Sequence, residues 1–514
     1  MSKTIIIIGA GLAGLSAALQ AAENGCNVKL VSSLPSERAQ SVMAEGGINA
    51  ALNTKDENDS PEEHFTDTIK AACGLADPNA VWGMTQAAPE LVHWLLKLGV
   101  KFNMSGYDDV DLRNFGGQKK KRTAFAQSDT GKQIMTAMID AVRRKEASGM
   151  VERFSHHSFL TLRLCGNICC GCVIRDEYSQ ETVELPGDAV IVATGGMHGL
   201  FGNTTGSLSN TGEVTAELFR LGVPLANGEM IQYHPTTVKC GGKRMLISEA
   251  ARGEGGRLFA MKDGKQWYFM EEKYPELGNL MPRDITAREI WKVSHESEVF
   301  LDMTEISEEI ISNKLSGLAD DCMTYLHKDI RKEPVSVLPG IHYFMGGILV
   351  DEQHRTPIQN LYAAGECCAQ YHGANRLGGN SLLGALYGGR VAAKSACEQA
   401  DVVDLSCATQ IDFPPASQIS EIKQLNKVMQ ETMGVVRNEN TLLNGIQTVQ
   451  ALTGNLSLLG MAVLKSALAR KESRGAHWRE DYPKSNDDDY LKTTVARFDG
   501  KQIQISFVPV PERR

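Results

Sequence analysis

The first thirty residues show two kinds of hydrophobic pattern in succession. An apolar run over Thr4–Ile8 predicts a buried strand, and alanines at helical spacing over Leu12–Asn24 predict a helix. A second apolar run over Asn27–Val31 predicts another strand. The sequence therefore predicts a βαβ unit at its start, with a glycine-rich turn between the first strand and the helix.

Two later segments have the same buried-strand pattern. Asp188–Ala193 and Asn360–Ala364 are apolar, and each is followed closely by glycine. We expect these strands and the N-terminal strand to lie in one sheet that is assembled from distant parts of the chain. The long segment of mixed character between them, Met197–Gln359, is expected to contain an inserted domain.

The remaining segments predict loops and helices. Asn53–Glu63 is polar and acidic, which predicts a surface loop before a helix at His64–Ala72. Helical patterns follow at Ser417–Met433 and at Leu442–Lys471, before a polar tail that contains Asp487–Asp489. Together these elements predict the α/β class in a multidomain α+β arrangement.

Length and charge restrict the possible functions. A chain of 514 residues is expected to divide into roughly three or four structural units. The net charge of −9 argues against a nucleic-acid partner, because phosphate backbones favour a basic surface. No stretch approaches the ~18 uninterrupted apolar residues that a bilayer requires, and no signal-peptide pattern is recognised. The expected location is the cytoplasm.

The sequence contains twelve cysteines, which we expect to be reduced thiols in that compartment. Four of them, Cys165, Cys169, Cys170 and Cys172, are close together in sequence. Their flanks predict a strand hairpin, in which adjacent residues point to opposite faces, so four convergent thiolates are difficult to arrange. We therefore expect no metal site there, and the role of this cluster stays open.

The strongest local motif is Gly9-Ala10-Gly11-Leu12-Ala13-Gly14, where the first strand meets the helix. In dinucleotide-binding turns the first glycine permits the turn, the second admits the pyrophosphate, and the third lets the helix pack on the strand. Ser32 and Ser33 stand where an acidic ribose ligand is usual, which weakens an NAD interpretation. No close cysteine pair follows, which disfavours a disulfide reductase.

Eight further blocks, in order, carry a resemblance to a known family. They are Ser41–Ala51, Phe115–Gln118, His234–Thr236, Ser248–Gly256, Pro282–Asp284, His342–Gly347, Gly373–Leu382 and Glu472–His477. The sequence resembles the flavoprotein subunits of succinate dehydrogenase and fumarate reductase from Lys3 to about Asp499. The resemblance implies a Rossmann-like FAD-binding domain (residues 1–230 and 345–400), an inserted capping domain (231–344), a helical domain (401–480) and a C-terminal tail (481–514).

The resemblance also implies a set of FAD contacts. They are Gly9, Ala10, Gly11, Gly14, Ser32, Ser33, Arg38, Gln40, Ser41, Gly46, Gly47, Glu213, Glu366, Ser381 and Leu382. Glu213 stands where the family usually has Asp. Gln40 occupies the position at which membrane-bound relatives carry a histidine joined covalently to the flavin, so non-covalent FAD is expected. That covalent link is understood in the family to raise the flavin potential, and its loss favours fumarate reduction.

The resemblance assigns roles to a second group of residues. His342 and Arg376 would hold one carboxylate of fumarate, His234 and Ser248 the other, and Phe115 would also contact the substrate. Ser248 replaces the more usual Thr. Hydride would come from flavin N5 and a proton from Arg283, with Glu249 and Arg252 as the relay that reprotonates it. Glu249 and Arg252 share one face if their segment is helical.

Each of these residues also has a plainer interpretation. His234 before proline suits a turn, and His342 suits a buried core position. Arg283 with Asp284 could form a surface ion pair, and Arg376 could bind FAD phosphate. Lys119–Arg122 is expected to be a solvated loop that helps to attract dianions.

Three rival functions remain open. L-aspartate oxidase is a sister flavoenzyme that also lacks the covalent histidine, but Phe115–Gln118 with Arg122-Thr123 resembles the dicarboxylate reductases. A reductase of another enoate is disfavoured by His234 and Ser248, which fit a second carboxylate. A non-catalytic subunit is disfavoured by the intact Arg283.

The source of electrons lies outside this sequence. The chain has no haem-binding Cys-x-x-Cys-His motif and no ferredoxin-like cysteine run. The resemblance implies an iron–sulfur subunit as donor and a membrane anchor with quinone, which would place the chain peripherally on the cytoplasmic membrane. The physiological direction, the donor, membrane attachment and the oligomeric state stay open.

Overall fold

The computed structural model describes residues 2–106, 109–401, 411, 413–415 and 417–514. The helices of this part are α1 (Leu12–Glu23), α2 (Pro61–Ala71), α3 (Pro78–Leu98), α4 (Thr130–Ala147), α5 (Glu213–Arg220), α6 (Glu249–Gly253), α7 (Phe269–Lys273), α8 (Arg283–Val293), α9 (Glu308–Lys314), α10 (Ser316–Asp321), α11 (Asn380–Gln399), α12 (Ile419–Thr432), α13 (Glu439–Gln450), α14 (Asn455–Ala469) and α15 (Asp487–Tyr490).

The strands follow the same chain order. They are β1 (Thr4–Ile8), β2 (Asn27–Ser32), β3 (Ile48–Asn49), β4 (Leu112–Arg113), β5 (Thr123–Ala124), β6 (Val151–Ser155), β7 (His157–Cys165), β8 (Ile168–Asp176), β9 (Thr182–Pro186), β10 (Ala189–Val192), β11 (Leu225–Ala226), β12 (Ile231–Cys240), β13 (Lys243–Leu246), β14 (Arg257–Lys262), β15 (Lys265–Trp267), β16 (Val299–Asp302), β17 (Val335–Ser336), β18 (Leu338–Phe344), β19 (Gly347–Leu349), β20 (Leu361–Ala363), β21 (Cys368–Ala369), β22 (Lys492–Phe498) and β23 (Ile503–Pro509).

A five-stranded parallel sheet organises the N-terminal part of the protein. Its order is β20-β10-β1-β2-β6, with all neighbours parallel. The sheet confirms that the three predicted glycine-flanked strands lie side by side, although they are separated by hundreds of residues. Because parallel strands end at one edge, the glycine turns after β1, β10 and β20 meet there.

Helices α1 and α11 pack tightly against each other on this sheet. The Ser16 hydroxyl donates a 2.7 Å hydrogen bond to the Leu386 carbonyl. A Cβ atom on Gly389 would lie 2.3 Å from the Ala13 carbonyl oxygen, so the helices approach at a distance that only glycine permits. The N-termini of both helices point to the same end of the sheet as the glycine turns.

The segment between β10 and β20 contributes a second layer over that edge. Strands β12 and β18 pair antiparallel and form a three-stranded sheet with β13, and β14–β17 form a separate four-stranded sheet. Helices α6–α10 pack around a hydrophobic core of their own, which also takes in Phe115 from the N-terminal part. This layer positions the pocket residues described below.

The C-terminal part differs from its prediction in two ways. The helical pattern over Leu442–Lys471 is two helices, α13 and α14, because the chain turns at residues 451–454. The segment expected to be a polar tail ends in the β22–β23 hairpin, which pairs through β22 with β11 in the sheet β21-β19-β11-β22-β23. Ile503, Ile505 and Phe507 are half-buried and alternate with exposed residues, which is the sequence pattern of a strand.

Two predictions about the N-terminal part were also wrong. Helix α2 begins at Pro61 rather than His64, because the Ser60 hydroxyl caps it by accepting from the Glu63 amide. Lys119–Arg122 is not wholly solvated, since the Arg122 side chain is fully buried. Its Nη2 lies 2.8 Å from Asp59 and 3.0 Å from Asp67.

The cysteine cluster forms part of the β7–β8 hairpin. Cys169 and Cys172 are completely buried on β8, and burial raises the thiol pKa of both. Within the described residues, no group of His, Cys, Asp and Glu is arranged to hold a metal ion. Of the cysteines in the described part of the chain, ten are free thiols, whereas Cys165 is in a disulfide, contrary to the expectation of reduced thiols throughout. In the same part of the chain, no helix is long and apolar enough to cross a membrane.

Candidate active site

A cavity of about 720 Å³ lies at the edge where β1, β10 and β20 end. Its volume is typical of a ligand or cofactor site. One end is lined by the glycine turn after β1 and by the N-terminus of α1. The other end is lined by residues of β12, β18, α6 and α8, so the cavity runs from the parallel sheet to the covering layer.

The glycine turn shapes the first end of the cavity. Gly9 has φ +112°, and a Cβ atom there would lie 2.2 Å from the Ala193 carbonyl oxygen. At Gly11 the nearest atom to such a Cβ is the Ser41 hydroxyl oxygen, 3.5 Å away, which is an ordinary van der Waals contact without a clash. Gly14 lies behind the wall rather than on it, because its Cβ would be 1.8 Å from the Gly9 carbonyl oxygen. The implied FAD contact at Gly14 is therefore a packing contact between helix and strand.

The other implied cofactor residues all line the cavity. They are Gly9, Ala10, Gly11, Ser32, Ser33, Arg38, Gln40, Ser41, Gly46, Gly47, Glu213, Glu366, Ser381 and Leu382. They come from five separate parts of the chain, residues 9–11, 32–47, 213, 366 and 381–382, which the parallel sheet and the α1–α11 pair bring to one place.

These residues fit a bound FAD. The amino ends of α1 and α11 both face the cavity, and unpaired backbone N–H groups there suit phosphate and other anionic groups. The Ser32 hydroxyl is buried without a hydrogen-bond partner among the described residues, so it is available to a ribose hydroxyl. Gly46 and Gly47 line the same cavity and are closely packed, because a Cβ atom on Gly47 would lie 2.5 Å from the Ala124 carbonyl oxygen.

Gln40 lies in the cavity wall in a short helical turn, Gln40–Met43. Its side-chain oxygen accepts a 2.6 Å hydrogen bond from the Ser207 amide. His157 also lines the cavity, but its Nδ1 lies 2.8 Å from the Ser155 carbonyl oxygen and its Nε2 lies 3.6 Å from Asp176. Both of its ring nitrogens therefore already have neighbours.

At the far end of the cavity, Arg283 begins helix α8 and is almost fully buried. Its Nη2 and Nε lie 2.6 and 2.8 Å from Glu249 Oε2, and its Nη1 donates to Gln232 Oε1 at 3.0 Å. The other oxygen, Glu249 Oε1, accepts from Arg252 Nη2 at 3.2 Å and from the Gly116 amide at 3.2 Å. An Arg–Glu–Arg chain therefore leads from the cavity wall into the protein.

Burial affects the charges of Arg283, Glu249 and Arg252. Burial favours the neutral carboxyl, but Arg283 and Arg252 outweigh that effect and hold the pKa of Glu249 below its ordinary value. Arg252 lies outside the cavity lining, and its Nη1 donates to the Asn279 carbonyl. Helix α6 does place Glu249 and Arg252 on one face, as expected.

His234 and His342 lie side by side on β12 and β18, with ring centroids 5.1 Å apart. Burial and the neighbouring Arg283 lower the pKa of both rings well below the ordinary value, so both are neutral near pH 7. His342 Nδ1 lies 2.8 Å from the Thr205 hydroxyl, which leaves Nε2 for a ligand. The histidines are therefore hydrogen-bonding groups rather than fixed charges.

Arg376 supplies a further positive charge in the cavity wall. Its guanidinium lies 4.3 Å from the centre of the Tyr343 ring, and its Nε is buried without a hydrogen-bond partner among the described residues. Burial and Arg283 lower its pKa to about 9, so it stays charged at neutral pH. Ser248 lines the same region and caps α6 by accepting from the Ala250 amide. Phe115 completes this group against Gly46.

The structure also shows pocket residues that the sequence did not single out. Glu45 lines the cavity, and its buried Oε2 has no hydrogen-bond partner in the described chain. Burial, followed by the charge of Asp321, raises its pKa to about 8, against the opposing effect of Arg113. The Arg113 side chain donates to the carbonyl oxygens of Glu45 and Gly46 and so holds this loop. In the sequence, only the position of Glu45 within the block Ser41–Ala51 indicated that it belongs to the site.

Comparison with known proteins gives the family. Residues 4–382 match the family model described as FAD binding domain, and residues 451–513 match the one described as Fumarate reductase flavoprotein C-term. The chain is 38% identical to the succinate dehydrogenase flavoprotein subunit of Bacillus subtilis, over 100% of this chain and 98% of that protein. It is 32% identical to the 8-methylmenaquinol:fumarate reductase flavoprotein subunit of Wolinella succinogenes, over 100% and 92%.

A solved structure agrees. The chain superposes on Escherichia coli quinol fumarate reductase FrdA with a TM-score of 0.90 at 27% identity, covering 99% of this chain and 97% of that one. The fold and the cavity define an FAD-dependent oxidoreductase. More particularly, the chain belongs to the family of succinate dehydrogenase and fumarate reductase flavoprotein subunits. The expected family and fold class are confirmed.

Proposed function

We propose that this protein reduces fumarate to succinate with a non-covalently held FAD. The observation that carries the proposal is the Arg283 side chain. It lies in the wall of the cavity and is bonded through Glu249 to Arg252. Reduction of the double bond of a flat dianion needs a proton donor beside that bond. A positively charged donor with a relay behind it meets this need.

The pocket suits a dicarboxylate. Arg376 offers a charged planar group in the cavity wall, and His342, His234 and Ser248 offer uncharged hydrogen-bonding groups there. Charged donors form the stronger hydrogen bonds to carboxylates, and a preorganised site stabilises charge that develops during reaction. Two arginines, Arg283 and Arg376, together with these uncharged donors around one cavity favour a substrate with two carboxylates over a simple enoate.

The proton would come from Arg283. A free arginine is a very weak acid, because its pKa exceeds about 12, so its proton must be replaced as soon as it is transferred. Glu249 Oε2 contacts Nε and Nη2 of Arg283, and Glu249 Oε1 contacts Arg252. Glu249 thus lies where it can return a proton to Arg283. Bound reduced FAD would supply the hydride to the other alkene carbon.

Gln40 supports a non-covalently held FAD, and the absence of a covalent link favours fumarate reduction over succinate oxidation. An amide cannot form the histidyl link, and the Gln40 side chain is already bonded to the Ser207 amide. Without that link the reduced flavin is the stronger reductant, and for a two-electron couple about 30 mV corresponds to about 1.4 kcal/mol. The name of the Bacillus subtilis relative suggests the opposite direction, which the experiment below distinguishes.

Electrons would arrive from an iron–sulfur subunit, joined to a membrane anchor that binds quinone. The relatives support this, because they are named as flavoprotein subunits and one is named for 8-methylmenaquinol. The chain would then lie peripherally on the cytoplasmic face of the membrane through its partners.

The test is to reduce the FAD-loaded protein anaerobically and to follow flavin reoxidation on mixing with fumarate. We expect rapid reoxidation, loss of this phase in Arg283→Ala, and release of all flavin on acid precipitation. Lys292→Ala, an exposed change on the same helix, is the matched control. Faster flavin reduction by succinate than reoxidation by fumarate would reverse the proposed direction. Peroxide formation from L-aspartate, without a reaction with fumarate, would make the protein an aspartate oxidase.

A further inference from the structure

Two cysteines outside the active site lie in direct contact. Cys26 follows helix α1 at the turn into β2, and Cys397 lies in the last turn of α11. Their sulfur atoms are 2.8 Å apart, although 371 positions separate the residues in sequence. Both are free thiols, with Cys26 buried and Cys397 half-buried.

We propose that Cys26 and Cys397 form a reversible redox site that closes to a disulfide. A disulfide needs its sulfurs about 2.05 Å apart, so a shift of less than about 1 Å joins them. The contact is held by rigid surroundings, because Cys26 belongs to the largest hydrophobic core and Cys397 packs against it. The two thiols therefore stay adjacent without any rearrangement of the fold.

The position of the pair gives the disulfide a consequence. Helices α1 and α11 are packed along their length, and their amino ends line the cofactor cavity. The Cys26–Cys397 pair lies at the carboxyl ends of both helices, which are the ends away from the cavity. A cross-link there prevents the helices from separating, and it restricts the unfolded chain by closing a long loop. The oxidised protein should therefore hold its cofactor more firmly than the reduced protein.

The oxidant would be a small oxidised disulfide such as oxidised glutathione. The Cys397 thiolate, which is the more accessible, attacks one glutathione sulfur and releases one reduced glutathione. Cys26 then loses its proton and attacks Cys397, which releases the second. One S–S bond forms in the protein and one breaks in the oxidant, so two electrons pass to glutathione. Burial and the contact with Cys26 raise the pKa of Cys397, so the reaction accelerates as the pH rises.

The experiment treats the full-length FAD-loaded protein with oxidised glutathione under native conditions. The sites are mapped by mass spectrometry after alkylation and digestion without reductant. We expect a linked peptide pair containing Cys26 and Cys397, with a mass lower by two hydrogens, that disappears with dithiothreitol. We also expect the midpoint of thermal unfolding to rise by several degrees and FAD release to slow severalfold.

Cys26→Ser and Cys397→Ser are the test variants, because serine preserves size but cannot cross-link. Cys73→Ser, at a half-buried cysteine elsewhere, is the matched control and should behave as the parent protein. A protein that becomes glutathionylated at Cys397 but never yields the linked peptide would overturn the site. A linked peptide that forms only after unfolding in urea would do the same. A linked peptide with unchanged FAD release would overturn the effect on the cofactor.

Discussion

The Arg283 guanidinium lies 2.6 Å from the Glu249 carboxylate, and both side chains are at least nine-tenths buried. A buried ion pair is stabilising only when further hydrogen bonds complete it. Here Gln232, Arg252 and the Gly116 amide complete it. The pair is therefore positioned at the cavity wall by four different parts of the chain.

Replacing Glu249 by Gln should slow fumarate reduction by about 10²- to 10⁴-fold, because the amide cannot return a proton to Arg283. The effect should appear in kcat, with little change in KM, when initial rates are measured over a range of fumarate concentrations. Glu254→Gln is the control, since Glu254 follows the same helix but pairs with Lys314 away from the cavity. A Glu249→Gln protein with normal kcat would exclude the relay.

Replacing Arg376 by Lys should raise the KM for fumarate about tenfold to a hundredfold. Lysine keeps the charge but loses the planar donor pair and the stacking on Tyr343. Arg390→Lys is the matched control, because Arg390 stacks in a similar way on Trp94 outside the cavity. An equal change in both variants would mean that the effect is one of packing and not of substrate binding.

Fumarate binding should weaken above pH 8. Burial raises the pKa of Glu45 to about 8, so this cavity carboxyl is neutral at pH 7 and becomes an anion facing a dianion at higher pH. The KM should rise through pH 8 in the parent protein but not in Glu45→Gln, and loss of the Arg376 charge around its pKa of about 9 should raise the KM of both proteins at higher pH. Asp321→Asn should move the rise to lower pH, because the Asp321 charge helps to raise the pKa of Glu45.

The same group affects stability with a defined sign. Its folded-state pKa is above the ordinary value of 4.5, so the folded protein binds more protons than the unfolded chain between pH 4.5 and about 8. The contribution of Glu45 to stability should therefore decrease as pH rises through this window and stay constant above it. Comparing unfolding midpoints of parent and Glu45→Gln across this range checks the slope. A difference that is independent of pH would contradict the shift.

Gly11→Ala and Gly14→Ala should impair the protein for different reasons. At Gly14 a methyl group meets the Gly9 carbonyl, so unfolding should become easier by about 1–3 kcal/mol or more even without FAD. At Gly11 a methyl group fits without a clash, so the apoprotein should keep its stability while FAD binds more weakly. Thermal unfolding and FAD titration of both apoproteins separate the two effects. Equal stability losses would mean that both glycines serve packing.

Local pattern was sufficient for much of the fold, whereas the site residues follow from the family blocks and stay predictions. The buried runs over β1, β10 and β20 and the glycine turn after β1 follow from periodicity and from the steric freedom of glycine. The burial of Arg122 did not follow, because a run of basic residues resembles a solvated loop until Asp59 and Asp67 are placed beside it. The terminal hairpin was also missed, although the alternation of Ile503, Ile505 and Phe507 is a local strand pattern, and only its place in the sheet beside β11 depends on a distant segment.

The sequence by itself determined a dinucleotide-binding turn from residue spacing and, through its resemblance to a family, the FAD cofactor and the chemical groups available. Only the tertiary structure decided which groups touch. Gln232, Glu249 and Arg283 come from β12, α6 and α8, and Cys26 meets Cys397 only because α1 packs on α11. The pKa values of Glu45 and of the paired histidines depend on burial and on charges through space. Such contacts arise from packing between segments that are far apart in sequence, and no local hydrophobic pattern predicts them.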